Sequence, residues 1–254
     1  MSDALASPGP RLARARERMV RSRALILDVD GTLAETEEVH RRAFNAAFVR
    51  ADLDWCWGRV VYKDLLRVAG GKERIRAFDR FRAGDSVLSD AEVSELHRIK
   101  TTIYADLIAS GGCPLRPGVK DLLSAASTRG QRLAIATTTS HGNIDALLAS
   151  GLGKDWADRF AAIVAGDEVP KKKPAPDVYL EALARLNLSG SECLAIEDSG
   201  IGLLAASRAG IPVLISRSAY FKDDDFSAAL LAVDDLTEVT GFQPVERRAW
   251  RTTF

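Results

Sequence analysis

No stretch of the chain comes near the roughly 20 consecutive apolar residues that a bilayer-spanning helix needs, which excludes a helical membrane anchor. Cysteine is scarce as well. Cys56, Cys113 and Cys193 are odd in number and far apart in the sequence. That excludes a disulfide framework and a cysteine-based metal site, and suits reduced thiols in a cytoplasmic protein. Nor is there an excess of charge of either sign, because 35 Lys and Arg balance 35 Asp and Glu. A general nucleic-acid binder or a polyanionic tail is therefore not expected, and the partner should be a small molecule. The remaining expectation is a monomer with one large core, or a main domain carrying a smaller insert.

Residues 1 to 23 stand apart in composition. Ser, Pro, Gly and Ala give way to Arg11, Arg14, Arg16, Arg18, Arg21 and Arg23, opposed only by Asp3 and Glu17. This reads as a poorly ordered extension before the first strand, with an organellar transit segment or an arm for an anionic partner as the alternatives.

What the sequence does contain is organised around Leu25-Ile26-Leu27-Asp28-Val29-Asp30-Gly31-Thr32-Leu33. The apolar run Ala24 to Leu27 predicts a buried strand of a parallel sheet, and ligands of such sheets gather beyond the carboxyl ends of the strands. Asp28 falls at that end. In an extended backbone residues i and i+2 share a side, so Asp28 and Asp30 can face one substrate while Gly31 turns the chain. A plain Asp-Gly turn is the competing reading.

Helical periodicity follows over Glu35 to Ala51, Arg59 to Val68 and Lys72 to Phe81. Ser89-Asp90-Ala91-Glu92 has capping-box spacing and opens a longer helix that Gly111-Gly112 ends. Four helices in a row, closed by the turn-rich Pro114 to Gly118, predict a helical cap inserted over 39–113. From Val119 helices and strands alternate, the pattern of a doubly wound α/β core formed by 24–38 and 114–254.

Three later segments could complete a site with the first. Leu133-Ala134-Ile135-Ala136 runs into Thr137-Thr138-Thr139-Ser140, giving hydroxyls and backbone N–H groups before a helix start, a natural anion cradle, although threonine also simply favours strands. Lys173 precedes Pro174, which suits a rigid helix start and would hold one ammonium where a carboxylate meets a phosphate, whereas Lys171 and Lys172 read as solvated surface. Leu194-Ala195-Ile196 ends in Glu197-Asp198-Ser199-Gly200. Mg²⁺ takes oxygen ligands at about 2.1 Å and keeps several waters, so Asp28, the Asp30 carbonyl and Asp198 would suffice, with Glu197 as a further candidate. An acidic first turn that complements a helix dipole explains the same two acids without a metal. His40, His97 and His141 have no ligand spacing and read as structural or surface residues.

Asp-x-Asp-Gly-Thr, a hydroxyl-bearing strand end, Lys-Pro-x-Pro-Asp and Glu-Asp-Ser, in this order on alternating elements, resemble the haloacid dehalogenase superfamily of phosphotransferases, over about Ala24 to Val239. The string from Asp28 to Glu37, with Gly70-Gly71-Lys72-Glu73-Arg74, is similar to the CbbY-type sugar bisphosphate phosphatases. These remove the 1-phosphate of xylulose 1,5-bisphosphate, a misfire product that inhibits Rubisco, the carboxylase of the Calvin cycle. The resemblance implies an Mg²⁺-dependent phosphatase working through an aspartyl-phosphate. Asp28 would be the nucleophile, Asp30 the acid and base, and Thr137 and Lys173 the partners of the phosphoryl group. It further implies Glu37, Tyr62, Gly71, Lys72, Arg74, Thr138 and Thr139 as substrate contacts. A β-phosphoglucomutase-like sugar phosphomutase remains the near alternative, and a non-catalytic phosphosugar- or partner-binding protein the distant one.

Overall fold

The computed structural model describes residues 9–83 and 88–240. Six strands form one parallel sheet: β1 (Ala24–Leu27), β2 (Arg132–Ala136), β3 (Ala162–Val164), β4 (Cys193–Glu197), β5 (Val213–Ser216) and β6 (Leu231–Val233), in the order β3-β2-β1-β4-β5-β6. The helices in chain order are α1 (Pro10–Arg21), α2 (Glu37–Arg50), α3 (Arg59–Leu65), α4 (Gly71–Ala83), α5 (Asp90–Ala109), α6 (Val119–Thr128), α7 (His141–Leu152), α8 (Asp177–Leu186), α9 (Gly200–Arg208) and α10 (Thr237–Thr240). The doubly wound α/β class expected from the alternating pattern is the one found. Among the described residues no helix is long and apolar enough to cross a membrane.

β1 is central, and both its faces are buried. Leu25 and Leu27 join Leu122, Ile144 and Leu147 from α6 and α7 on one face, whereas Ala24 and Ile26 meet Val178, Leu183 and Leu203 from α8 and α9 on the other. Side chains of period two can satisfy two helical layers only if every position is apolar, which is why the strand reads ALIL rather than as an alternation. Leu27 pairs with Ile135 on one side and with Ile196 on the other, so the next residues, Asp28, Ala136 and Glu197, reach the carboxyl edge together.

Between β1 and α6 the described residues form four helices, α2 to α5, and these share a third apolar cluster built on Phe44, Phe48, Trp57, Tyr62, Ile75, Phe78 and Leu96. Trp57 is fully buried, with its ring centroid 4.6 Å from Phe44 and 4.9 Å from Phe48. Burying a side chain of this kind contributes about 2 to 3 kcal/mol. The insert is tied to the sheet layer by its first and last helices, because Val39 and Ala43 of α2 and Tyr104 and Ile108 of α5 pack in the cluster of Leu25 and Leu27. Ser89 caps α5 as its spacing predicts, accepting from Glu92 N at 3.3 Å while Glu92 Oε2 accepts from Ser89 N at 2.8 Å.

The N-terminal segment departs from expectation. Residues 1–8 lie outside the described residues, but Pro10 to Arg21 is a helix against the sheet layer rather than a loose extension. Its Ala15 and Met19, one turn apart, are buried. Arg18 donates to the Cys193 carbonyl at 3.0 Å, Arg16 to that of Glu238 at 2.8 Å, and Gln131 to that of Met19 at 2.8 Å. Arg16 and Arg18, expected in a loose extension, are instead cross-links to helix and strand ends. The last described strand is short, Leu231–Val233, and residues 241–254 of the expected core lie outside the described residues.

Candidate active site

Beyond the carboxyl edge of β1 the chain folds into a tight loop. Gly31 N donates to Ala34 O at 2.8 Å, and Leu33 N to Val29 O at 2.8 Å. Gly31 has φ +80°, and a Cβ there would stand 1.9 Å from Asp198 Oδ2, so the loop and Asp198 can approach only because this residue has no side chain. Arg116 clamps the loop from behind. Its guanidinium donates to the carbonyls of Gly31, Ser216 (2.9 Å), Arg217 (2.5 Å) and Asp234 (2.7 Å).

The strand edge brings three buried carboxylates together. Oxygens of Asp28, Glu197 and Asp198 lie within 4.8 Å of one another. Lys173 Nζ donates to Asp28 Oδ1 and to Glu197 Oε1, both at 2.6 Å, and the Tyr179 hydroxyl donates to the same Glu197 oxygen at 2.5 Å. Burial would lower the pKa of Lys173, but the two carboxylates outweigh it and hold the ammonium charged. Burial pushes the Asp28 carboxyl up to about 7 against the pull of Lys173. Asp198 is raised well above the ordinary carboxylate value by burial and by the charges of Asp28 and Glu197.

The donor set fits a hard divalent cation. Asp198 Oδ2 is buried without a hydrogen-bond partner, an arrangement that is costly unless something positive completes it. Glu197 is different, since Lys173 and Tyr179 take its Oε1 and Asp198 N takes its Oε2 at 3.2 Å. It serves to hold Lys173 more than to offer a free ligand atom.

Asp30 sits in a second environment. Its Oδ1 accepts from Thr36 Oγ1 at 2.6 Å and lies 3.0 Å from His40 Nε2, while His40 Nδ1 is 2.7 Å from Lys100 Nζ. Burial would raise the Asp30 pKa, but His40 and Thr36 hold it below the usual carboxylate range. Lys100, buried between the rings of Phe44 and Tyr104 at 4.9 Å from each, is pushed down to about 7 by desolvation. The two acids thus lie in opposite electrostatic settings.

One cavity connects this floor to the insert. Asp28, Asp30, Lys173 and Asp198 line it from below, Thr138, Thr139, Ser140 and Asn143 from the β2–α7 side, and Glu37, Gly71, Lys72 and Arg74 from α2 and α4. Arg74 Nη1 donates to the Tyr62 hydroxyl at 3.3 Å, which in turn donates to Glu37 Oε2 at 2.7 Å. Tyr62 is fully buried behind that pair and does not line the cavity, so it orients Glu37 and Arg74 from outside. Thr137 also departs from expectation. It is buried, and its Oγ1 accepts from Thr139 N at 3.4 Å, one position behind the lining threonines.

Three residues read as unremarkable in the sequence stand in the site. His40 contacts Asp30, His97 lines the cavity, and Lys172 lines it too instead of facing solvent. Tyr179 and Lys100 had no local signal at all. Only their position in the folded chain reveals them.

The haloacid dehalogenase-like hydrolase family model matches residues 22–210. Protein CbbY of Rhodobacter capsulatus is 53% identical over 215 residues, 85% of this chain and 94% of that one, and the plasmid-borne protein CbbY of Cupriavidus necator is 50% identical over 217 residues, 84% of this chain and 85% of that one. In structure, CbbY from Rhodobacter sphaeroides in complex with phosphate superposes with a TM-score of 0.82 at 43% identity, covering 86% of this chain and 96% of that one. A variant of the same protein in complex with xylulose 1,5-bisphosphate matches equally, with a TM-score of 0.82 and 43% identity over 85% of this chain and 96% of that one. The chain belongs to the haloacid dehalogenase-like hydrolases and, within them, is a phosphatase of the CbbY type.

Proposed function

We propose that the protein is an Mg²⁺-dependent phosphatase of sugar bisphosphates that works through an aspartyl-phosphate on Asp28, with xylulose 1,5-bisphosphate as the substrate. The observation that carries this reading is the shared cavity, in which Asp28 and Lys173 on the floor face Lys72 and Arg74 on the insert. A reacting phosphate belongs at the first pair, and a second, non-reacting phosphate at the other. The xylulose 1,5-bisphosphate complex of the Rhodobacter sphaeroides relative supports the choice of sugar.

Asp28 and Asp198, with the Asp30 carbonyl, would hold Mg²⁺, which when bound offsets phosphate charge and polarises a phosphoryl oxygen. Asp28 attacks phosphorus as the bond to the sugar oxygen breaks, and Asp30 gives that oxygen a proton. Asp30 then takes a proton from water, whose oxygen attacks the aspartyl-phosphate, releases inorganic phosphate and restores the Asp28 carboxylate. Thr36 and His40 both occupy Asp30 Oδ1, so the transfer is assigned to Oδ2. A phosphate dianion nearby raises the proton affinity that His40 otherwise depresses. Lys173 stays charged throughout and meets the negative charge of the transferring group, and Thr138 and Thr139 face the same space from the β2–α7 loop.

A panel of phosphosugars assayed for inorganic phosphate tests the reading. Xylulose 1,5-bisphosphate should be hydrolysed with the highest kcat/KM among it, ribulose 1,5-bisphosphate, fructose 1,6-bisphosphate and glucose 1-phosphate. In the same assay Lys72→Ala should lower kcat/KM for bisphosphates by about 10- to 100-fold, the loss of one charge-assisted phosphate contact, and for monophosphates by less than about threefold. Equal losses on both classes would remove Lys72 from the distal phosphate. An isomeric sugar phosphate as product in place of free phosphate would make the protein a mutase.

Metal binding should carry a pH signature. Asp28 and Asp198 both hold protons more tightly than ordinary carboxylates, so a cation must displace them. Mg²⁺ affinity should therefore rise with pH through the Asp28 value of about 7, by up to about tenfold per unit for each carboxylate that has to lose a proton. Calorimetric titration in buffers of different ionisation heat reads both the affinity and the protons released. An affinity that does not change from about pH 6 to about pH 8 would contradict the assignment.

A further inference from the structure

Two successive lysines leave the segment before α8 in different directions. Lys173 is committed to Asp28 and Glu197. Lys172 crosses to the insert, where its Nζ lies 2.9 Å from Glu73 Oε1 and 3.1 Å from Oε2, with Asp167 Oδ1 at 4.0 Å. Glu73 belongs to the first turn of α4, between Lys72 and Arg74, the two cations that line the cavity from above. Room for the pair is built into the backbone. Gly70 has φ +100°, and a Cβ there would stand 2.1 Å from Glu73 Oε2 and 2.7 Å from Lys172 Nζ.

The pair stands at the edge of the cavity, which Lys172 lines. The cavity holds about 60 Å³, space for a few waters, whereas sites for small organic ligands usually run to about 300 Å³ or more. A phosphosugar can reach Asp28 only if the insert and the core part, and parting them separates Lys172 from Glu73. We infer that the Lys172–Glu73 pair is a latch across the cleft that fixes the first turn of α4 in its closed position and so sets how far Lys72 and Arg74 reach toward a distal phosphate. Lys172 is on this account a positioning residue for substrate selection, acting through Glu73. The consequence for bisphosphates rests on the function proposed above, whereas the latch itself does not.

The pair is partly exposed, with Glu73 45% and Lys172 17% accessible, so its strength is that of a surface ion pair, about fivefold in an equilibrium at most. The test uses the full chain as Lys172→Met, Glu73→Gln and the charge exchange Lys172→Glu with Glu73→Lys. Hydrogen exchange of peptides spanning residues 70–76, measured without substrate, should be two- to fivefold faster in both single variants and return to the original rate in the exchange. With Mg²⁺ present, both single variants should raise KM for xylulose 1,5-bisphosphate by a similar two- to fivefold, because removing either partner opens the latch. If Lys172 instead binds the phosphate itself, Lys172→Met raises KM and Glu73→Gln does not, which overturns the inference. So do unchanged exchange rates in the single variants, or a charge exchange no more protected than they are. Should the original protein hydrolyse no phosphosugar, the functional reading fails while the exchange rates still decide the latch.

Discussion

Asp28→Asn should give a folded protein whose phosphate release from any phosphosugar falls by more than about 10⁴-fold, as expected when a nucleophile is removed from a site whose other groups act only through it. The amide has the shape of the carboxylate but neither its charge nor its nucleophilicity. Its oxygen can still accept from Lys173, which lies 2.6 Å from Asp28 Oδ1. Asp28 is also one of three buried carboxylates that repel one another, and burial raises its pKa to about 7. Neutralising it relieves part of that repulsion, so the melting temperature should stay the same or rise by a few degrees. The separation of the two readouts is what makes the variant informative. Phosphate release within about tenfold of the original protein would sink the nucleophile assignment.

Lys173→Met should damage both activity and stability. Lys173 is buried and is the cation that joins Asp28 to Glu197. Without it three buried carboxylates face one another with no positive partner, and loss of one member of such a buried group costs about 3 to 5 kcal/mol. For a chain of this size that is a fall of about 10 °C in melting temperature. Part of the loss should return on adding Mg²⁺, because a ligand that binds only the folded state stabilises it by mass action. Turnover should still be lost, since the cation replaces charge but not the ammonium that meets the transferring group. A melting curve unmoved by the substitution, together with activity within about tenfold, would show that Lys173 does not have the role proposed.

Much of the scaffold could be read from local pattern because local pattern was physically sufficient. ALIL must be a strand buried on both faces, and Ser89 with Glu92 must cap a helix, whatever lies elsewhere. The order of the four polar segments along alternating elements also held the floor of the site, since Asp28, Lys173 and Asp198 converge on one cavity. Contacts made across the fold were not legible. His40 lies ten residues beyond Asp30 and Lys100 sixty beyond His40, with nothing in the intervening sequence to join them. Three threonines in a row at the end of β2 could not be ranked by strand alternation, because the pleat gives way to a loop there and Thr138 and Thr139, not Thr137, turn to the cavity. The N-terminal helix was hidden by its composition, since its five arginines outweighed the single buried pair of Ala15 and Met19.

The Arg116 clamp has a consequence for the timing of synthesis. Through Arg116 the loop that carries both aspartates is fastened to carbonyls of Ser216, Arg217 and Asp234, while Lys173 lies 145 residues after the aspartate it faces. Asp28 is among the first described residues to leave the ribosome, and every group that fixes or charges it is made later. A nascent chain that stops short of Asp234 therefore lacks one of the carbonyls that Arg116 uses to hold the loop. The loop that carries Asp28 thus takes its full hold only after β6, the strand at the sheet's edge, has been made.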